Sequence, residues 1–210
     1  MRVRSRGYLR SAVLGTRTAL VAAPLLVFVA LAGIVTDDPE PALDHRLLAF
    51  LNGHTESTAL AGAAELVVWA CLWLGLGALV SVMSLLSVTR RYTSALFIGS
   101  TVIAAVVLER ALKHAFQRAP INEGESYSFP SGSAMISLAI VAALVFVWGP
   151  GRRAWVSVGG LALVLVYGLS IVGLGWHYPS DVAAGWCLAL ALASALWLGF
   201  GRPTLDRTTG

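Results

Sequence analysis

Charge is scarce in this chain: Asp, Glu, Lys and Arg make up 12% of 210 residues, about half the share of a soluble domain. That shortage excludes a fold that must clothe itself in water. Cysteine is nearly absent, and Cys71 and Cys187 both fall inside apolar stretches, which excludes a disulfide framework and a CxxC metal site. The four histidines, His45, His54, His114 and His177, lack zinc spacing, so no metal is implied, and no cofactor is expected. No internal repeat or low-complexity tract appears. Carboxylates within the apolar runs are few, Glu65 being the main one, which leaves little machinery for a small transporter or channel.

What is abundant is apolar surface. Hydrophobic residues make up 57% of the chain and mean hydropathy is +0.77, the composition of an integral membrane protein. Windows of the roughly 20 residues needed to cross a bilayer lie at 18–36, 59–87, 94–112, 132–149, 154–176 and 182–200. The expected fold is therefore all-α, a polytopic bundle of six transmembrane helices forming a single domain over residues 1–210. The first window is long for a signal peptide and lacks a small-x-small cleavage site, so it reads as a retained span. Between the first two windows, Leu43, Leu47, Leu48, Phe50 and Leu51 predict an amphipathic helix lying on the outer surface.

The pI near 9.5 would suggest nucleic acid in a soluble chain, but its distribution reads as topology instead. Arg2, Arg4, Arg6, Arg10, Arg17, Arg90, Arg91, Arg152, Arg153, Arg202 and Arg207 all fall on one side if six helices alternate. Positive loops stay cytoplasmic, so both termini are expected there. Trp148, Trp155, Trp176 and Trp197 lie near the span ends, as an interfacial aromatic belt requires.

Four basic residues fall on the other side: Arg46, and then Arg110, Lys113 and Arg118 crowded together after the third window. These three are either snorkelling side chains, with Glu109 and Lys113 as an i,i+4 pair, or an anion site. In the next outer loop Pro130, Ser131 and Gly132 directly precede an apolar run. A Ser-Gly turn opening a helix is either an ordinary N-cap or a phosphate cradle, because unpaired N–H groups point outward at the positive end of the dipole. The third outer loop reads GLGWHYPSD. Here Tyr178, Pro179 and Ser180 break the chain after His177. Ser180 is expected to cap the next helix and Asp181 to reach back to His177 and fix its tautomer. Cations, exposed amides and an oriented imidazole on one membrane face describe phosphoryl transfer.

At these residues the chain resembles the type 2 phosphatidic acid phosphatase superfamily, also called lipid phosphate phosphatases and related to vanadium haloperoxidases. Membrane members of that family have six helices and carry three motifs in these three loops. The third motif, Ser-Arg, five residues, His, three residues, Asp, is matched in spacing by Ser170, His177 and Asp181, with Ile171 in the arginine position. The second, Pro-Ser-Gly-His, is matched by Pro130, Ser131 and Gly132, with Ser133 where the histidine belongs. The first, Lys, six residues, Arg-Pro, is matched by Lys113, while Pro120 takes the place of the arginine and Arg118 corresponds to an additional arginine many members carry.

The resemblance implies that His177 is the nucleophile, Asp181 its orienter, and Lys113, Ser131 and Gly132 phosphate ligands, joined by Ser170 and Arg118. Ser133 replaces the acid that protonates the departing oxygen, a task for which a hydroxyl is poorly suited. His114, Glu123 and Glu125 are nearby in sequence as substitutes. A diphosphate expels a phosphate that needs no such help. The expectation is an outward-facing hydrolase of lipid phosphates that prefers a diphosphate such as polyprenyl diphosphate, with the bilayer and its lipids as partners and no nucleic acid. The alternatives are a catalytically impaired relative that binds lipid phosphate or a partner protein, and a phosphotransferase.

Overall fold

The computed structural model describes residues 3–55, 58–122 and 127–201, and every regular element among them is an α-helix. In chain order these are α1 (Val3–Asp37), α2 (Ala42–Thr55), α3 (Thr58–Val88), α4 (Tyr92–Phe116), α5 (Gly132–Val147), α6 (Pro150–Gly173) and α7 (Pro179–Gly199). Five are long and apolar enough to cross a membrane: Arg17–Asp37 within α1, Ala59–Val88, Tyr92–Phe116, Gly151–Gly173 and Pro179–Gly199. The protein is a multi-pass membrane protein. The sixth expected span, α5, has 16 residues and at 1.5 Å per residue is about 24 Å long, short of the roughly 30 Å hydrocarbon layer. It is also the innermost helix, packed by α4, α6 and α7.

Helix boundaries follow local chemistry. Helix α1 runs back to Val3, well before the apolar window, with no proline in the basic segment to stop it; Pro24 is accommodated inside it. Gln117 at φ +50° closes α4, its N–H donating to the Lys113 carbonyl at 3.0 Å, and Pro120 prevents continuation. Trp148, Gly149 and Pro150 separate α5 from α6, with the proline in the first turn where its missing N–H costs nothing. Helix α6 stops at Gly173, three residues before the end of the expected window, because Gly175 adopts φ +70°, a conformation that favours glycine. Helix α7 is capped by Tyr178 rather than Ser180, since Pro179 in its first turn fixes the helix start two residues earlier.

Three apolar clusters hold the bundle. The central one joins Phe28 and Ala32 of α1, Ala105 of α4, Met135 and Leu138 of α5, and Leu188 of α7. A second joins Val68, Ala134, Tyr167, Ile171 and Val182. A third closes the opposite end around Leu86, Phe97, Ile98 and Val147. Small residues let α5 and α7 approach closely: a Cβ on Gly185 would lie 2.6 Å from the Ser131 carbonyl oxygen and 3.1 Å from the Met135 nitrogen. Outward-facing Leu26, Leu66, Trp73, Ile103 and Val107 are exposed; such an apolar girdle is unsupportable in water and ordinary against acyl chains.

Helix α2 divides its apolar residues between two faces. Asp44, Leu48 and Leu51, spaced i, i+4, i+7, turn inward, with Asp44 buried and both leucines packed on the second cluster. Leu43, Leu47 and Phe50 turn outward and are exposed. The end of the bundle away from α2 carries Arg153, whose Nε donates to the carbonyls of Val145 and Trp148, each at 3.2 Å, satisfying the C-terminal end of α5 as a basic group should.

Candidate functional site

One end of the bundle gathers the α1–α2 turn, α2, the α4–α5 connection, the start of α5 and the α6–α7 turn. The joints are specific: Ser131 N–H donates to the Asp181 carbonyl at 3.0 Å, and the Asn122 amide donates to the Gly175 carbonyl at 3.3 Å. Three segments far apart in sequence, around Lys113, Ser131 and His177, thus form one surface.

Lys113 stands in the last turn of α4, its Nζ 3.1 Å from Glu109 Oε1. The i,i+4 pair expected from the sequence is present, and it is well shielded, with side-chain exposures of 13% and 8%. The Glu109 carboxylate rests on the first residue of α5: a Cβ on Gly132 would meet its Oε1 at 2.5 Å. A side chain at 132 would have to displace the carboxylate, which occupies that space. Lys113 and Gly132 are therefore brought together, with an acidic group between them.

Ser131 is the N-cap of α5 and is fully buried; its Oγ accepts from the Ala134 N–H at 3.4 Å. With its own N–H engaged by Asp181, Ser131 serves as a structural cap and a link between α5 and α7. Ser133 faces outward from the first turn, its Oγ 3.5 Å from that of Ser131. Ser170, half-buried in the last turn of α6, is not tied to the cluster by any described side-chain hydrogen bond. Beside it, Ile171 is 1% exposed and packed among Val68, Ala134, Tyr167 and Val182. The position corresponding to the family's arginine thus faces an apolar interior.

His177 is half-buried in the α6–α7 turn, with Nδ1 3.7 Å from Asp181 Oδ2. That is ion-pair range but longer than a hydrogen bond, and the buried Nδ1 has no hydrogen-bond partner among the described residues. The expected tautomer-fixing bond is therefore not formed directly. The carboxylate is oriented by other donors: Asp181 Oδ2 accepts from the Tyr178 N–H at 3.2 Å, and Oδ1 accepts from Arg118 Nη1 at 2.5 Å.

Arg118 is the densest node. Its Nε donates to the Pro39 carbonyl at 2.8 Å, Nη1 also to Ser180 Oγ at 2.8 Å, and Nη2 to Asp44 Oδ2 at 2.8 Å. Asp44 in turn accepts from the Ser180 N–H at 2.9 Å and from the Ser180 hydroxyl. The guanidinium lies 4.1 Å from the Tyr178 ring centroid, a cation–π distance. Four of its five N–H groups are engaged within the protein, and its side chain is 1% exposed. The expected phosphate ligand is thus a buried tie between α2, the Pro39 turn and α7. Burial pushes the Tyr178 hydroxyl up, assisted by Glu40 and opposed by Arg118.

Asp44 and Tyr167 were not singled out from sequence. The i, i+4, i+7 alignment of Asp44 with Leu48 and Leu51 was the available signal, since it places the carboxylate on a buried face. Of the suggested substitute acids, His114 is exposed and meets Tyr127 edge-on at 6.0 Å; Glu123 and Glu125 lie outside the described residues. No group of three or more metal-ligating side chains exists among the described residues.

A family model described as the PAP2 superfamily matches residues 94–204. In three dimensions the chain is similar to a solved structure of a transmembrane PAP2-type phosphatidylglycerolphosphate phosphatase from Bacillus subtilis, with a TM-score of 0.76 at 17% identity, covering 90% of this chain and 99% of that one. None of the curated proteins matches the sequence.

Proposed function

The chain belongs to the PAP2 superfamily, and on that premise we propose that it is a membrane lipid phosphatase working through His177. The observation that supports this reading most directly is the meeting of Lys113, the Ser131-Gly132 helix start and the His177–Asp181 turn at one end of the bundle. The ring nitrogen of His177 not facing Asp181 attacks phosphorus and forms a phosphohistidine, which water then cleaves. Asp181 stabilises the imidazolium as charge develops, a contribution that survives the 3.7 Å separation because the carboxylate is fully buried. Lys113 and the α5 N-terminus neutralise the transferring group. Arg118 acts here as a positioning residue for Asp181.

The preferred substrate is a lipid diphosphate, such as a polyprenyl diphosphate, because Ser133 leaves the position of the leaving-group acid without one, and a phosphate departs without it. The arginine distribution supports cytoplasmic termini, six crossings with α5 shielded by its neighbours, and a site on the outer face. The outward face of α2, Leu43, Leu47 and Phe50, then rests in the interface above the bilayer. A second reading, an impaired relative that binds lipid phosphate without turnover, is favoured by one observation: Ile171 packs into an apolar cluster where a second guanidinium would be needed.

The test is phosphate release by the purified protein from polyprenyl diphosphate, phosphatidic acid and phosphatidylglycerolphosphate, with His177→Ala in parallel. The diphosphate is expected to be fastest, and His177→Ala to reduce every rate to background. Faster release from either monoester contradicts the substrate preference. Release from none, with phosphate lipids still bound, supports the second reading.

A further inference from the structure

Position 133 holds a serine, yet the residue before it is in contact with a carboxyl group supplied from another helix. Glu109 belongs to α4, one turn before Lys113, and its side chain is 8% exposed. Its Oε1 lies 3.1 Å from Lys113 Nζ, and Oε2 lies 3.5 Å from Arg110 Nε. Oε1, the oxygen paired with Lys113, also lies 2.5 Å from where a Cβ on Gly132 would be. A phosphate held by Lys113 and the start of α5 therefore arrives directly against this carboxylate. A carboxyl group is thereby set beside the bound phosphate, where proton transfer to a leaving oxygen needs one within hydrogen-bond reach.

Building on the phosphatase reading, we propose that Glu109 is a catalytic residue, the proton donor to the leaving oxygen when the substrate is a phosphate monoester. His177 donates a lone pair to phosphorus as the P–O ester bond breaks. That bond's electron pair passes to the ester oxygen, which takes the Glu109 carboxyl proton and leaves as the alcohol. In the second half, the Glu109 carboxylate accepts a proton from the water that attacks the phosphohistidine, releasing inorganic phosphate and restoring both groups. A diphosphate leaves as phosphate and needs the donor least.

The experiment is a leaving-group comparison with Glu109→Gln and Glu109→Asp against the unmodified protein. Phosphatidic acid, p-nitrophenyl phosphate and polyprenyl diphosphate are the substrates, and rates are read as ratios so that partial unfolding cancels. Glu109→Gln is expected to slow phosphatidic acid by about 100-fold while the other two fall by less than about threefold. Glu109→Asp, which keeps an acid, restores part of the phosphatidic acid ratio. Equal falls on all three substrates, no fall on phosphatidic acid, or an unmodified protein that cleaves diphosphate but no alkyl monoester each overturn the assignment. A protein inert toward all three substrates overturns the phosphatase reading and this assignment with it.

Discussion

Replacing Arg118 with alanine is expected to be the most damaging single truncation outside the apolar core. The substitution strands two carboxylates at once: Asp44 and Asp181 are 5% and 0% exposed at their side chains, against 1% for Arg118. Removing one partner of a buried ion pair costs about 3–5 kcal/mol, because the charge left behind has neither solvent nor counter-ion. Asp44 keeps its two bonds from Ser180 and Asp181 keeps the Tyr178 N–H, which places the expected cost near 4 kcal/mol. For a chain of this size about 2–4 °C accompanies each kcal/mol, giving a loss in Tm of ~8–16 °C. A thiol-reactive dye in detergent reads the transition, since Cys71 and Cys187 are free and half-buried. Asp44→Asn provides the internal comparison: it leaves Arg118 paired with Asp181 and should cost about 1–2 kcal/mol. An Arg118→Ala protein melting within about 2 °C of the unmodified one, or Asp44→Asn proving the worse of the two, refutes the reasoning.

Other substitutions probe the same account. Gly185→Ala drives a methyl group into the α5 backbone, 2.6 Å from the Ser131 oxygen, and should cost about 1–3 kcal/mol in the same melting assay. Ile171→Arg does not restore the family's arginine contact; it buries a cation among Val68, Tyr167 and Val182 and should abolish stable expression. Ser133→His, at an exposed position, should fold normally and raise monoester turnover, read as phosphate released from phosphatidic acid. Asp181→Asn should lower kcat by at least about 100-fold, with lipid binding measured separately and little changed.

Helix placement was legible because hydropathy alone marks the spans, and the boundaries that moved did so at particular residues: Gly175 ended α6 early and Pro179 started α7 early. Which face of each helix turns inward was not legible. Lipid-facing and core-facing residues are both apolar, so Leu66 outside and Val68 inside look alike in sequence. The pairing of Lys113 with Glu109 followed from i,i+4 spacing. The fate of Arg118 did not, because a guanidinium suits a phosphate and a buried carboxylate equally well, and its partners Asp44 and Asp181 lie 74 and 63 residues away. Spacing also predicted contact between His177 and Asp181. It could not show that Arg118 and the Tyr178 N–H would orient the carboxylate, leaving 3.7 Å between Oδ2 and the imidazole.

The most direct test of the central claim is capture of the covalent intermediate. Incubating the purified protein with a lipid diphosphate labelled on its terminal phosphate, quenching in base and mapping the label should place an acid-labile, base-stable phosphate on His177. Label on another residue, or turnover that persists in His177→Ala, contradicts it.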